Sequence, residues 1–415
     1  MDAQAPPLRR NRDFVLLWTG SAVSILGSNV SNVAYPLLVL ALTGSAADAG
    51  LTGFVSLLPQ LLFQLPAGAL VDRFDRRRTM IYCDLLCGLA LSTVVVALLF
   101  GRLTLPHILV VGFLEGTFAV CYRLAAAAAV PNVVDPSQVA QALAHNEARR
   151  RGAAMLGKPL GGMLFGLSRA APFVFDIASY LVSVLTLALI RKDFQVQRDT
   201  PNRRPRGAEF TEGAVWLWRQ PFLRTTTFLI AGSNLLFQAL FLTVIVIATD
   251  HGASPSIIGV MLGIIAVGGV AGSLLAPAAA RRLSLKTVVI GANWVWLLLV
   301  PLLALVTEPL LLGAVFAAMA FVGPLWNVAI SAYQLEITPD HIQGRVLAAA
   351  GMIAFGAVPL GSLIGGVLLS KTGATTTVWL FTLWMAALAL TTVISPAVRS
   401  APKLVDTPLA APTKR

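Results

Sequence analysis

Four ionisable side chains stand inside long apolar runs: Asp84, Glu115, Lys158 and Asp176. In hydrocarbon a charge persists only beside a partner or a water-filled cavity, so each is a candidate for moving ions or holding a solute. Glu115 lies about 13 Å inside Pro106 at helical rise, and Lys158 about 15 Å inside Ser168. Opposite charges at matching depth in consecutive runs predict an ion pair across a cavity, serving proton coupling, substrate binding or structure alone. As a coupling pair, Glu115 is the proton carrier, and substrate or a conformational change breaks its contact with Lys158. Asp176 lies one turn inside the outer end of its run, and Ser179, Tyr180 and Ser183 continue its face. It reads either as a second protonation site or as a helix cap. Asp84 reads either as a snorkelling residue or as a partner of the arginines at the start of its run.

The elements that must carry these residues are membrane helices. The 415-residue chain is 57% hydrophobic and 12% charged, with a mean hydropathy of +0.79, more apolar surface than one soluble core can bury. Twelve apolar runs recur, each long enough at about 1.5 Å per residue to cross a hydrocarbon core of about 30 Å. The fifth, 138–167, contains Glu147, Arg149, Arg150 and Arg151, so part of it must protrude or face protein and water. The expected fold is an all-α membrane protein of twelve transmembrane helices in two pseudo-symmetric six-helix bundles.

The net charge of +12 invites a nucleic-acid reading, but the position of the charges decides against it. With the N-terminus inside, all 31 Lys and Arg except Arg102, Arg169, Lys371 and the intramembrane Lys158 fall in cytoplasmic segments or at their helix ends. That is the positive-inside pattern, so the charge reports orientation in a cell inner (plasma) membrane with both termini cytoplasmic. Cys83, Cys87 and Cys121 form no disulfide or metal framework, and the four histidines lie apart. No metal and no cofactor is expected.

Residues 1–190 read as the first bundle, 191–221 as a basic cytoplasmic linker, 222–396 as the second bundle and 397–415 as a disordered cytoplasmic tail. The halves echo each other: Asp135-Pro136 precedes a helix reaching Gly157 and Gly161, and Thr338-Pro339 precedes one reaching Gly361 and Gly365. Parallel duplicated transporters leave such pairs.

Two motifs carry a resemblance. GALVDRFDRRR, residues 68–78, resembles motif A of the major facilitator superfamily, which implies a gate formed by Gly68, Asp72, Arg73, Arg76 and Arg77 with Asp84 nearby. Asp75 replaces a family glycine and is expected to tolerate a left-handed turn. The second-half counterpart keeps Gly272, Arg281 and Arg282 but has Ala276 in place of Asp72, so a latch built on Asp72 is one-sided. GAAMLGKPLGG, residues 152–162, is similar to the superfamily's antiporter motif, with Lys158 where that motif has proline. Gly157, Pro159, Gly161 and Gly162 are its expected packing residues. Together with PNVVDPSQVAQALAHNEA and ITPDHIQGRVLAAAG, these segments resemble the drug:proton antiporter branch that includes macrolide efflux proteins and the enterobactin exporter. The resemblance implies the major facilitator fold and a cavity lined by the first, fourth, seventh and tenth spans.

Polar stripes occur on three of those spans. Ser28, Asn29, Asn32 and Tyr35 mark the first span, Asn234, Phe237 and Gln238 the seventh, and Trp326, Asn327 and Ser331 the tenth. Tyr122 joins them from the fourth. These residues serve either substrate contact or helix–helix hydrogen bonding. The cavity they predict is charged in the first half and neutral, amide-rich and aromatic in the second. Lys158, with Arg123, Arg149 or Arg150, favours an anionic or polyhydroxylated solute. The expected function is a monomeric, proton-coupled exporter of small amphipathic organic compounds such as drugs, macrolides or siderophores, in contact with membrane lipids. An importer on the same scaffold and a non-transporting sensor are the rivals. An enzyme is not expected, since no HExxH, CxxC or HxxxxD-like arrangement occurs.

Overall fold

A computed structural model describes residues 7–192, 194 and 206–401, with side chains except those of residues 65, 69, 72 and 206–210. Asp72 of the expected gate, part of the linker and residues 402–415 of the expected tail therefore lie outside what is described in whole or in side chain.

Among the described residues every regular element is helical. The first six long helices are α1 (Arg12–Thr43), α2 (Ala46–Arg73), α3 (Arg76–Leu99), α4 (Leu105–Val133), α5 (Val139–Leu167) and α6 (Ala171–Leu189). After α7 (Arg206–Arg219) come α8 (Pro221–Asp250), α9 (Pro255–Arg282), α10 (Leu285–Leu299), the short α11 (Leu302–Leu305), α12 (Pro309–Ile337), α13 (Gln343–Gly356), α14 (Val358–Ile394) and α15 (Pro396–Arg399).

Ten helical segments are long and apolar enough to cross a membrane. The segment 340–394 contains two spans, because Gly373, at φ 76°, reverses the chain within α14 at an angle that only glycine adopts freely. The further span is α5, whose charged first half keeps it below that apolar threshold. These account for the twelve.

Polar caps set the helix starts: Asn11 accepts from the backbone N–H of Phe14, Ser45 from Asp48, Ser254 from Ile257 and Ser284 from Thr287. The two loops that echo each other in sequence fold alike, each into a single 3₁₀ turn, Pro136–Gln138 and Asp340–Ile342. In the first, the Ser137 hydroxyl and backbone N–H hold the Asp135 carboxyl below its usual range.

Within the first half α1 packs on α6, α5 and α2, and α4 packs on α2 and α3; in the second, α14 packs on α8 and α9 on α12. The halves meet along two seams, α5 against α9 and α2 against α14. Both seams close through glycine at the end of the bundle away from the basic loops. A Cβ on Gly50 would stand 2.7 Å from Gly366 Cα, and one on Gly162 would stand 2.6 Å from Gly259 N, closer than real side chains come. Nearer the basic end the α5/α9 contact is polar, with Arg151 donating to Ser273 Oγ at 3.0 Å.

Two expected segments differ from a bare linker and a bare tail. α7 folds against α13, with Leu217 buried and Arg345 paired to Glu212 at 2.6 Å. Gly213 and Leu217, one turn apart, form its buried side, a short signal that the basic composition around it obscured. At the other end, α15 tucks Val398 into the core, so the packed chain extends past residue 396.

Candidate functional site

The stripe on α1 turns its polar side chains toward α3, α4 and α6, where a cavity of about 580 Å³ opens. Its lining includes Ser28, Asn29, Asn32, Tyr35, Asp84, Glu115, Tyr122 and Asp176, and it runs to Asn146, Glu147, Arg149 and Arg150 near the basic end. Hydroxyls bracket the acids, of which Asp84 and Asp176 are buried and Glu115 half-buried. Tyr35 donates to Glu115 and sets its ring edge-on to Phe173 at 5.3 Å. Ser179 donates to Asp176 Oδ1 at 3.0 Å, and Ser24 to Asp84 Oδ1 at 3.5 Å. Ser28 meets the Tyr180 hydroxyl at 3.2 Å, while Tyr122 bridges Ser21 at 2.9 Å and Ser183 at 3.1 Å. Asp84 Oδ2 and Asp176 Oδ2 are buried with no hydrogen-bond partner in the structure. Glu115 and Asp176 stand near enough to act on each other electrostatically.

Three sequence expectations are corrected here. Lys158 does not pair with Glu115; its ammonium sits 4.9 Å from the centre of the Phe241 ring on α8. The cause is helical register. Gly157 and Gly161 press against Asn29 and Val30 of α1, while Pro159 and Gly162 press against Gly259 of α9, so Lys158 points between those faces toward the second half. Asp84 does not pair with the motif A arginines. Arg76 donates to the carbonyls of Ala128 (2.8 Å) and Phe194 (3.1 Å), and Arg77 to those of Leu187 (2.7 Å) and Ala188 (2.5 Å), so Arg77 caps the last turn of α6 and Arg76 ties α4 to the chain beyond α6. Asp75 adopts φ −59°, not a left-handed turn, and serves as the N-cap of α3 by accepting from Arg78 N at 2.7 Å. Of the remaining gate residues, Arg73 is exposed and Gly68 half-buried in the last turns of α2.

The helix-cap reading of Asp176 fails: it is fully buried within α6 and Ala170 occupies the cap position.

The second-half stripes line a separate cavity of about 240 Å³ that includes Asn234, Phe237, Trp296, Phe316, Trp326 and Asn327. Phe237 packs edge-on against Trp296 at 4.9 Å and Phe316 at 6.1 Å. Asn234 donates to the Ala354 carbonyl at 2.8 Å. Gln238 and Ser331 line neither cavity: Gln238 bonds Ser362 Oγ at 2.9 Å across α8 and α14, and Ser331 is exposed. One expected cavity is thus two.

Reading the sequence missed Ser56 and Gln60 of α2, which line the charged cavity. Their four-residue spacing on one face is the same signal that exposed the α1 stripe. Among the described residues no His, Cys, Asp and Glu group could hold a metal.

Comparison with known proteins agrees with this architecture. A family profile described as transmembrane secretion effector, of major facilitator type, matches residues 3–409. The chain is 28% identical over 399 residues to the multidrug efflux pump Tap of Mycolicibacterium fortuitum, covering 90% of this chain and 93% of the relative. Over 179 residues it is 24% identical to macrolide efflux protein A of Streptococcus pyogenes, covering 43% and 44%. The crystal structure of the nucleoside transporter NupG superposes with a TM-score of 0.73 at 13% identity, over 94% of this chain and all of that one, a likeness of fold. The twelve helices, the glycine seams between two halves and the near full-length profile match together make this chain a member of the major facilitator superfamily, in its transmembrane secretion effector family.

Proposed function

We propose that the chain is a proton-coupled exporter of small amphipathic organic compounds, drugs, macrolides or siderophores among them, and not an enzyme. It works as a monomer by alternating access between bundles 1–190 and 222–396. The carrying observation is the charged cavity, where half-buried Glu115 and buried Asp176 have hydroxyl partners and no ion pair among the described residues. Carboxyls so placed can take up and release protons while a solute occupies the same space. The basic end faces the cytoplasm by the positive-inside rule, so the cavity is loaded from inside. Export is supported by the printed names of the relatives, a multidrug efflux pump and a macrolide efflux protein.

Glu115→Gln in proteoliposomes is expected to abolish flux driven by a pH gradient while leaving solute binding within about twofold. Undiminished gradient-driven flux would refute the coupling role of Glu115.

A further inference from the structure

Arg123 of α4 lies about 15 Å before the Val133 end at helical rise. Yet its side chain is exposed to the charged cavity, and among the described residues its hydrogen bonding is a 3.4 Å contact to Gln64 Oε1. Arg149 of α5 lines the same cavity, donates to the Trp18 carbonyl at 3.2 Å, and leaves its buried Nε unpartnered. A guanidinium carries five donors, so both have donors to spare.

Neither nearby carboxylate, Glu147 or Asp84, pairs with Arg123 or Arg149 among the described residues. Glu147 is held by Arg150 at 2.6 Å and Arg151 at 2.8 Å. Asp84 faces Ser24 on the α1 wall and pairs with neither arginine. Arg150, though paired, is close enough for its charge to act on Arg123. The wall formed by α4 and α5 therefore concentrates positive charge beside the cavity.

We propose that Arg123 and Arg149 form an anion subsite, and that the solute is an amphipathic organic anion bearing a carboxylate or sulfonate. This deepens the export reading and rests on it for the identity of the cavity as a solute site. The anionic group is held by charge-assisted hydrogen bonds, and the apolar body extends past Phe118 toward Glu115, about 12 Å further along α4.

The test uses the full-length protein in detergent and two probes with one carbon skeleton: 8-anilinonaphthalene-1-sulfonate, and N-phenyl-1-naphthylamine, which lacks the sulfonate. Binding is read by energy transfer from tryptophan, with empty micelles subtracted. Arg123→Gln and Arg149→Gln are each expected to weaken the sulfonate probe about tenfold while changing the neutral probe less than twofold. Arg123→Lys retains most of the preference, and Arg102→Gln, exposed near the opposite end, leaves both probes unchanged. Equal loss of both probes in the folded Gln variants, or no loss of either, overturns the proposal. So does abolition of the sulfonate preference by added phosphatidylglycerol, which would assign the arginines to a lipid headgroup. Because binding is read with no gradient, failure of proton coupling or export leaves this result standing, and its failure leaves them untouched.

Discussion

The Tyr35 hydroxyl donates to the Glu115 carboxylate across 80 residues of sequence and joins α1 to α4 inside the charged cavity. Tyr35→Phe removes the donor and keeps the ring against Phe173. A hydrogen bond to a charged group is worth about 1.5–3 kcal/mol, so gradient-driven flux is expected to fall about tenfold or more. Flux against pH in proteoliposomes checks this; an unaltered profile would remove Tyr35 from the coupling path.

Gly162→Leu wedges α5 from α9. A Cβ there already meets Gly259 N at 2.6 Å and Pro255 O at 2.8 Å, so the halves must part at the end away from the basic loops. Spin labels at Thr43 and Lys371, both exposed, are expected to move apart by several ångströms, and flux is lost. Unchanged label distances would show that the seam absorbs the side chain.

Arg76→Ala leaves the carbonyls of Ala128 and Phe194 without this donor. The expected cost is about 1–3 kcal/mol, seen as a lower melting temperature in detergent, while Arg78→Ala, whose side chain is exposed, changes it little. Equal melting temperatures would mean that water replaces the guanidinium.

Glu212 and Arg345 form a partly exposed ion pair between α7 and α13. Such pairs are weak, so a double-mutant cycle with Glu212→Gln and Arg345→Gln should give a coupling below about 1 kcal/mol. A larger value would make the pair a principal tie between these helices.

The fold was legible because lipid forces a simple code, long apolar runs with basic loops on one side. The polar face of α1 was legible for the same reason, since Ser28, Asn32 and Tyr35 recur at helical spacing. What could not be read was rotation. Glu115 and Lys158 match in depth, yet depth is set by residue count whereas partnership is set by which face each helix turns inward. The small residues around Lys158 fix that face through contacts with α1 and α9 that lie far away in sequence. Arg76 and Arg77 were legible as basic residues of a motif but not as a tie and a cap, because their acceptors are carbonyls, which every residue type supplies. Phe237, Trp296 and Phe316 pack together within their own half and form an aromatic wall of the second cavity.

The two arginines at the start of α3 reach the tail ends of α4 and α6, so three helices share one set of polar clasps. In the proposed alternating-access cycle, a bundle fastened this way would resist internal shear and turn as a single lever. Displacement at the glycine fulcrum would then reappear, enlarged by the length of the helices, as a change in the width of the cavity mouth. Stiffness at one end of the molecule would thereby become stroke at the other.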